Sequence, residues 1–409
     1  MDWIAYLLLT LEGLFALWLL RRAGLLDTRP ALLAAAGLTL AAFLLRALAL
    51  PCETLDYRDF LSKWVAFYRD NLGFRSLAYP LGNYNIPYLY FLCLFSYLPI
   101  RDLYLIKLLS IFFDVLLAYA AMQLLGRVTE RKSLRLACFF TVLLLPTVVL
   151  NGAVWGQCDS IYAALALLGL WLGLSGEPVL SVLCFTLSFG FKLQAVFVLP
   201  VMALLWFRGD YKLWHFGLFP LFYVLLVLPA VALGKPFVET LTLYTSQTGS
   251  IGDGLNYNSP SVYAFFWRVP ATADAAGLGI AGAFTFMLMV LLFCFLRRRR
   301  LTDRAVLAAA LLFATGIPFL LPHMHERYFF CGDILAAVLA FTGPLMIPAA
   351  LLQQFASLLG YHAYLKMRYL LYMDHGARSL IGVLLLAMAL LLYETAEKKD
   401  AEIFPEPEK

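Results

Sequence analysis

The sequence predicts an all-α polytopic membrane protein with about thirteen transmembrane helices, in a range of about eleven to fourteen. Of its 409 residues, 63% are hydrophobic and only 14% are charged, whereas a soluble domain is close to half apolar. Apolar runs of roughly 20 residues, the length that crosses the hydrocarbon core of a bilayer, recur along the chain. We expect external amphipathic and re-entrant helices beside these spans, and we treat residues 1–409 as one integral membrane domain.

The basic residues predict the orientation of the chain. They cluster at the ends of apolar runs, which the positive-inside rule places in the cytoplasm, and this explains the net charge of +5 without a nucleic-acid partner. The first run, residues 2–20, has Asp2 before it and two arginines after it, which favours a membrane span over a cleaved signal peptide. The clusters are Arg21/Arg22/Arg29, Arg127/Arg131/Lys132/Arg135, Arg208/Lys212 and Arg297–Arg300 with Arg304.

Residues 51–102 are predicted to form the first external loop, with a dense group of charges near its start. From Asp56 to about Asn71 the apolar and charged residues fall on opposite faces, which predicts an amphipathic helix in the headgroup region. A short aromatic helix near 88–98 is too short to span the bilayer and is expected to be re-entrant or surface-lying. The apolar face of the amphipathic helix consists of Tyr57, Phe60, Leu61, Trp64, Phe67 and Tyr68.

The rest of the chain divides into core spans at 103–233, a second external loop at 234–262, and C-terminal spans with a cytoplasmic tail at 263–409. One core segment, 179–207, is predicted to fold as a helical hairpin broken at 190–194. This arrangement places Lys192 at the outer tip and the following basic cluster inside, whereas a single span would leave the lysine at mid-membrane.

Three polar groups converge on the outer side: the first external loop, the break Trp155–Ser160 together with Lys192, and the segment His323–Arg327. Because the chain has little polarity elsewhere, this pattern predicts a site. Lys107 and Asp114 lie inside the span that follows the first loop, and both a functional and a structural role stay open for them. Seven singly scattered cysteines form no metal-ligand pattern.

These three groups carry a resemblance to a known superfamily. A first-loop aspartate followed by Asn-Tyr-Asn-x-Pro-Tyr-x-Tyr at 83–90 resembles the GT-C superfamily of polyprenyl-phosphate-sugar-dependent glycosyltransferases. Asn-Gly-Ala-Val-Trp-Gly-Gln-Cys-Asp-Ser at 151–160, Phe-Lys-Leu-Gln-Ala at 191–195 and Met-His-Glu-Arg-Tyr-Phe-Phe at 324–330 are similar to motifs of bacterial relatives of GPI mannosyltransferase II. One extra N-terminal span departs from the simpler pattern of these proteins.

The resemblance implies that a hexose, with mannose expected first, moves from a polyprenyl-phosphate sugar to an acceptor hydroxyl in one inverting displacement. It implies a lipid, glycan or protein acceptor, surrounding membrane lipids, and no metal or other cofactor. We expect the active site on the extracytoplasmic face, and a short chain without an evident retention signal suits a bacterial plasma membrane and the synthesis of cell-envelope glycans.

Asp56 and Asp59 compete for the role of the base that accepts the hydroxyl proton. Asp56 begins the amphipathic helix near its apolar face, whereas Asp59 lies on the solvated face four residues before Lys63, a spacing typical of a surface ion pair. Asp56 is also a suitable N-cap, so the residue pattern alone leaves catalysis and capping open. The resemblance assigns the catalytic aspartate to Asp56.

For the donor phosphate, Arg327 and His325 are the first candidates and Lys192 is the second, because arginine offers a bidentate fork for phosphate oxygens. The structural alternatives for Arg327 are an ion pair with Glu326 or snorkelling at the helix end, and the alternative for Lys192 is an interior salt bridge. The candidates for contact with the sugar or the acceptor are Asp59, Tyr84, Asn85, Tyr88, Trp155, Gln157, Asp159, Gln194, His323 and Glu326.

A lipid or sugar transporter, such as a flippase, is the alternative from another functional class. It would also place ionisable residues in spans and polar breaks at one face. Transporters usually show internal repeats and paired broken helices near mid-bilayer. The sequence shows no such repeat and gathers its polarity at one surface, which favours the enzyme.

Overall fold

The structure, a computed structural model, describes residues 2–82, 84–247, 254–266 and 272–396. The predicted tail after residue 396, Asn83 and part of the second external loop lie outside the described residues. The α-helices are α1 (Asp2–Arg22), α2 (Arg29–Ala49), α3 (Ser62–Asp70), α4 (Ile86–Phe95), α5 (Asp102–Gly126), α6 (Lys132–Leu143), α7 (Pro146–Val149), α8 (Asp159–Leu174), α9 (Pro178–Phe191), α10 (Val201–Arg208), α11 (His215–Ala232), α12 (Phe237–Leu241), α13 (Leu243–Gln247), α14 (Ala273–Leu296), α15 (Asp303–Leu320), α16 (Phe330–Ala340), α17 (Ile347–Leu365) and α18 (Met373–Thr395).

Other regular structure is confined to short pieces at helix ends and in loops. Two-residue strands β1 (Asn256–Tyr257) and β2 (Met324–His325) pair in parallel. The π-helical turns are Tyr57–Leu61 and Leu150–Trp155, and the 3₁₀ turns are Gly73–Ala78, Leu193–Phe197, Val262–Phe265, Arg298–Arg300 and Pro344–Met346.

Seven of the described helices are long and apolar enough to cross a membrane: α1, α2, α5, α11, α14, α15 and α18. The pair formed by α6 and the segment Pro146–Trp155, bent by 43°, would make an eighth span. These helices confirm an all-α polytopic membrane protein. The count of about thirteen is not confirmed, because several predicted spans fold as shorter apolar helices, among them α8, α9 and α16.

Helix α5 separates two chemically different ends of the structure. At its start, Asp102 accepts a hydrogen bond at 2.9 Å from Tyr57 of the first loop. Just beyond its end, Arg127 donates at 2.8 Å to Asp303, which also accepts at 2.8 Å from Arg208. Its 25 residues span about 37 Å at ~1.5 Å per residue. Two of the basic clusters therefore meet at the end opposite the first loop.

The segment 179–207 folds back on itself, as the hairpin interpretation requires. The backbone is extended at Lys192, whose ammonium contacts Asp159 at the start of α8. Beyond α10, the Tyr211 hydroxyl donates at 2.5 Å to Ser181, near the start of α9. A single long span would place Ser181 and Tyr211 at opposite ends, so their contact supports the hairpin.

A buried ion pair ties four helices together. Arg46 of α2 donates at 2.8 Å to Asp114 of α5 and at 2.8 Å to the carbonyl of Leu143 at the end of α6. Ser160 of α8 donates at 2.5 Å to the other oxygen of Asp114. Arg46, Asp114 and Ser160 are fully buried, so each charge depends on these partners for its solvation.

Lys107 is a second buried charge of α5, and it closes the C-terminus of α2. Its ammonium donates to the carbonyls of Ala49, Leu50 and Cys52 at 2.9, 3.1 and 2.6 Å. A cation is favourable at a helix C-terminus because the last carbonyls have no partner within the helix. Lys107 and Asp114 therefore both link helices, which favours the structural interpretation of this pair.

We expect the substitution Arg46→Met to destabilise the protein by about 3–5 kcal/mol, because it leaves Asp114 buried without a counter-charge. The apparent melting temperature of the protein in detergent measures the loss. The double variant Arg46→Met/Asp114→Leu removes both charges and should recover most of the lost stability. An Arg46→Met protein that melts at the wild-type temperature would show that the pair does not hold these helices.

Candidate functional site

The polar break between α7 and α8 is built from a π-helical turn and a glycine. Leu150–Trp155 winds more loosely than an α-helix, and Gly156 then adopts a positive φ of 77°, a conformation that favours glycine. Gly152 is needed for close approach, because a Cβ at this position would lie 3.2 Å from both carboxylate oxygens of Asp114. The chain becomes helical again at Asp159.

Neighbouring segments hold the break in place through its carbonyl groups. The Thr54 hydroxyl of the first loop donates at 3.1 Å to the carbonyl of Trp155. Ser110 of α5 donates at 2.7 Å to the carbonyl of Gln157. The side chains of Trp155 and Gln157 are thereby directed towards the first loop.

Asp56 receives hydrogen bonds from these two side chains and from a third. Its carboxylate accepts from the Trp155 indole at 2.9 Å, from the Gln157 amide at 2.5 Å and from the Tyr364 hydroxyl at 2.5 Å. The backbone at Asp56 is already helical and its side chain makes no capping hydrogen bond. The capping alternative is therefore wrong, and the three donors fix the orientation of the carboxylate.

A cavity of about 470 Å³ opens beside Asp56. Its wall contains one carboxylate, three groups that are cationic or become so on protonation, and a large share of aromatic rings. The lining residues are Asp56, Phe60, Leu61, Trp64, Tyr84, Asn85, Gln157, Phe191, Lys192, Leu193, Gln194, Tyr244, Tyr257, His325, Arg327, Tyr328 and Tyr364. This composition suits a ligand that has an anionic group and a polar ring.

Arg327 is held by carboxylates and by an aromatic ring. Its guanidinium donates at 2.8 Å to Glu326, lies 3.6 Å from a carboxylate oxygen of Asp159, and stands 5.1 Å from the centre of the Trp155 ring. Burial acts to lower the pKa of Arg327, but Glu326 and Asp159 outweigh it and raise that pKa well above its usual value. Arg327 therefore stays charged at the cavity wall.

The two histidines of the segment His323–Arg327 have different positions. His325 lies on the cavity wall, with its ring stacked on Tyr257 at 4.8 Å between ring centres, where β1 and β2 pair. His323 is not part of that wall, because its ring nitrogen contacts the carbonyl of Gly254 at 2.7 Å. His323 thus anchors the second external loop, and its predicted contact with a substrate has no support here.

Of the predicted contact residues in the aromatic motif, two line the cavity and one does not. Tyr84 lines the cavity, and its hydroxyl donates at 3.2 Å to Gln157. Burial raises the pKa of Tyr84 well above its usual value, so the hydroxyl keeps its proton. Asn85 also lines the cavity and donates at 2.9 Å to Tyr223. Tyr88 is buried beneath Tyr84, with 4.7 Å between their ring centres, and does not reach the wall.

Four other predicted contact residues lie outside the cavity wall: Trp155, which is fully buried and donates to Asp56, and three carboxylates. Asp59 is exposed, because the packing of Tyr57 and Leu61 turns it outwards. Asp159 and Glu326 are buried behind the cations with which they pair. The structure brings none of these three carboxylates to the wall.

Gln194 does line the cavity, as predicted for a contact residue. It is 9% exposed, and its amide oxygen has no hydrogen-bond partner. A buried oxygen of this kind favours a hydroxyl donor from a ligand.

Tyr364, which completes the Asp56 site from α17, was not among the predicted site residues. Its ring stacks on Trp155 at 4.3 Å, while Tyr361, one turn earlier, meets the same indole edge-on at 5.5 Å. The pair Tyr361/Tyr364 on one helical face was the available signal, but aromatic residues at this spacing are common at membrane interfaces. Asn151, inside the quoted motif, was also missed and donates to Asp159 at 2.7 Å.

Residues 83–322, more than half of the chain, match the sequence model of glycosyltransferase family 87. The chain belongs to glycosyltransferase family 87. This membership confirms the predicted resemblance to membrane glycosyltransferases of the GT-C type. Comparisons with curated proteins and with solved structures give no match.

The family 87 match covers only part of the site. It includes Trp155, Gln157 and Lys192, but it begins after Asp56 and ends before Arg327. In this family 87 glycosyltransferase, Asp56 and Arg327 are brought together by the cavity, whose wall contains both.

Proposed function

We propose that this glycosyltransferase transfers a hexose, with mannose the expected sugar, from a polyprenyl-phosphate sugar to an acceptor hydroxyl. The supporting observation is a cavity that has Asp56 on its wall together with Lys192, His325 and Arg327. The reaction needs a proton acceptor near the hydroxyl and cations near the phosphate, and this wall offers both.

The proposed step is one displacement with inversion at the anomeric carbon. Asp56 accepts the proton of the acceptor hydroxyl while the oxygen of that hydroxyl forms a bond to the anomeric carbon. The bond between the carbon and the phosphate oxygen breaks on the opposite face, and its electron pair stays on the phosphate. Arg327 and Lys192 stabilise this growing charge through charge-assisted hydrogen bonds, and His325 offers a further hydrogen bond from its ring.

We propose that the site faces the extracytoplasmic side of a bacterial plasma membrane. Two of the basic clusters meet at the end of the structure opposite the first loop, and the positive-inside rule places that end in the cytoplasm. A lipid-anchored donor in the outer leaflet reaches a cavity at the extracytoplasmic end of the protein by diffusing in the membrane. The acceptor, a lipid, glycan or protein, would then enter cell-envelope glycan synthesis.

Asp56→Asn tests the base. We expect transfer to fall by about 10²–10⁴-fold, because the amide keeps the shape of the carboxylate but cannot accept the proton. Activity is measured with a polyprenyl-phosphate mannose and a panel of acceptors, and donor binding and melting temperature are measured in parallel. Both should stay near the wild-type values.

Asp59→Asn is the matched control, since it makes the same chemical change three residues away on an exposed position. Its activity should stay within a few-fold of wild type. Full activity of Asp56→Asn beside an inactive Asp59→Asn would assign the base to Asp59 instead.

Arg327→Ala tests the phosphate site. Loss of a charge-assisted hydrogen bond costs about 1.5–3 kcal/mol, so the KM for the donor should rise at least about tenfold. Arg327→Lys keeps the charge but lacks the bidentate fork, so its KM for the donor should lie between those of the wild type and Arg327→Ala. Arg69→Ala, on an exposed position of α3, is the control. Unchanged donor dependence in a folded Arg327→Ala protein would remove this residue from the site.

Cysteine labelling tests the orientation. In a background without the seven native cysteines, Thr245→Cys should react with an impermeant thiol reagent added outside intact cells, and Arg299→Cys should not. The reason is that position 245 belongs to the second external loop, whereas position 299 belongs to a basic cluster. The reverse pattern would invert the proposed topology.

A further inference from the structure

We propose that Asp159 sets the charge of the donor-phosphate site: it positions Lys192 and Arg327 and weakens their hold on the phosphate product, so that the product leaves. This inference rests on the proposed function, since it concerns how the leaving polyprenyl phosphate is bound and released. Asp159 acts through the two cations and is therefore a positioning residue.

The contacts of Asp159 place it behind both cations. One carboxylate oxygen lies 2.5 Å from the Lys192 ammonium, and the other lies 3.6 Å from the Arg327 guanidinium and accepts from Asn151 at 2.7 Å. Asp159 is fully buried, while Lys192 and Arg327 reach the cavity wall. A phosphate in the cavity would therefore meet the cations first, with the aspartate on their far side.

The charges of this group balance before any substrate binds. Lys192 and Arg327 carry two positive charges, and Asp159 and Glu326, which pairs with Arg327 at 2.8 Å, carry two negative charges. Asp56 and His325 are the other two members of this wall that act in the proposed step. The two cations and their two carboxylate partners therefore sum to no net charge, although both cations line the cavity.

This balance matters more for the product than for the donor. A sugar linked to a polyprenyl phosphate is a phosphodiester with one negative charge. After transfer, the polyprenyl phosphate is a monoester with a second ionisation near pH ~6, so it carries close to two charges. Two uncompensated cations would hold this dianion more tightly than the donor and would slow its release.

The same carboxylate also fixes the distance between the two halves of the reaction. Arg327 lies over the Trp155 ring, and the Trp155 indole donates to Asp56. Asp159 contacts Arg327 and Lys192, so it connects the phosphate side to the aromatic ring that orients the proton acceptor.

Asp159→Asn in the purified full-length protein tests the inference. The probe is a polyisoprenyl phosphate, added as an inhibitor of transfer from a polyprenyl-phosphate mannose. We expect its inhibition constant to fall about tenfold, because one nearby negative charge is removed while the shape of the side chain is kept. The kcat should fall as well, and the KM for the singly charged donor should change less than the inhibition constant.

Asp333→Asn is the matched control. Asp333 is another buried aspartate, in α16, which accepts hydrogen bonds from Gln353 and Ser357. It lies outside the cavity wall, and the ion pairs of Lys192 and Arg327 among the described residues are with Asp159 and Glu326 instead, so its substitution should leave the inhibition constant within about twofold. A general loss of folding would change the inhibition constant in both variants, whereas the proposed role changes it only in Asp159→Asn.

The variant Lys192→Gln supplies a second background in case Asp159→Asn alone does not fold. Here the Lys192–Asp159 ion pair is already absent, and adding Asp159→Asn should again tighten binding of the polyisoprenyl phosphate by a similar factor. An unchanged or weaker affinity in both backgrounds would overturn the inference. A wild-type protein that neither uses the polyprenyl-phosphate sugar nor binds the probe would overturn the proposed function itself.

Discussion

The buried ion pair between Arg46 and Asp114 is the constraint on which the functional end of the molecule depends. It connects α2 and α5 directly, reaches the end of α6 through the carbonyl of Leu143, and holds the start of α8 through Ser160. A charge left alone at such a position would be strongly unfavourable, so these helices are stable only as a group. The polar break between α7 and α8 lies directly against this group, since a Cβ at Gly152 would lie 3.2 Å from the Asp114 carboxylate.

Some side chains of that break orient the proton acceptor, and another holds the cations of the phosphate site. Trp155 and Gln157 donate to Asp56, whereas Asp159 pairs with Lys192 and Arg327. The five-residue segment Trp155–Asp159 thus sets the spacing between the proton acceptor and the cations. The segment can do this because its backbone leaves the helical path at a π-turn and at Gly156, which lets neighbouring side chains point in different directions.

Much of this arrangement was accessible from the sequence. The apolar runs predicted the membrane fold, and the charge pattern predicted the hairpin at Lys192 and the groups that form the cavity wall. The partners of buried residues were not accessible: Arg46 and Asp114 are 68 positions apart, and Tyr364 and Asp56 are 308 apart. Nor does the residue type say whether a carboxylate faces the cavity or lies behind it.

The contact between Asp56 and Tyr364 also has a consequence for the biogenesis of the enzyme. Chains are made from the N-terminus, so the first loop reaches its place long before α17 has been synthesised and inserted. Arg327 and Tyr364 arrive near the end of this process, and until then the cavity has neither its arginine nor one of the three donors to Asp56. A chain that ends before Arg327 therefore carries a complete base segment and no complete site.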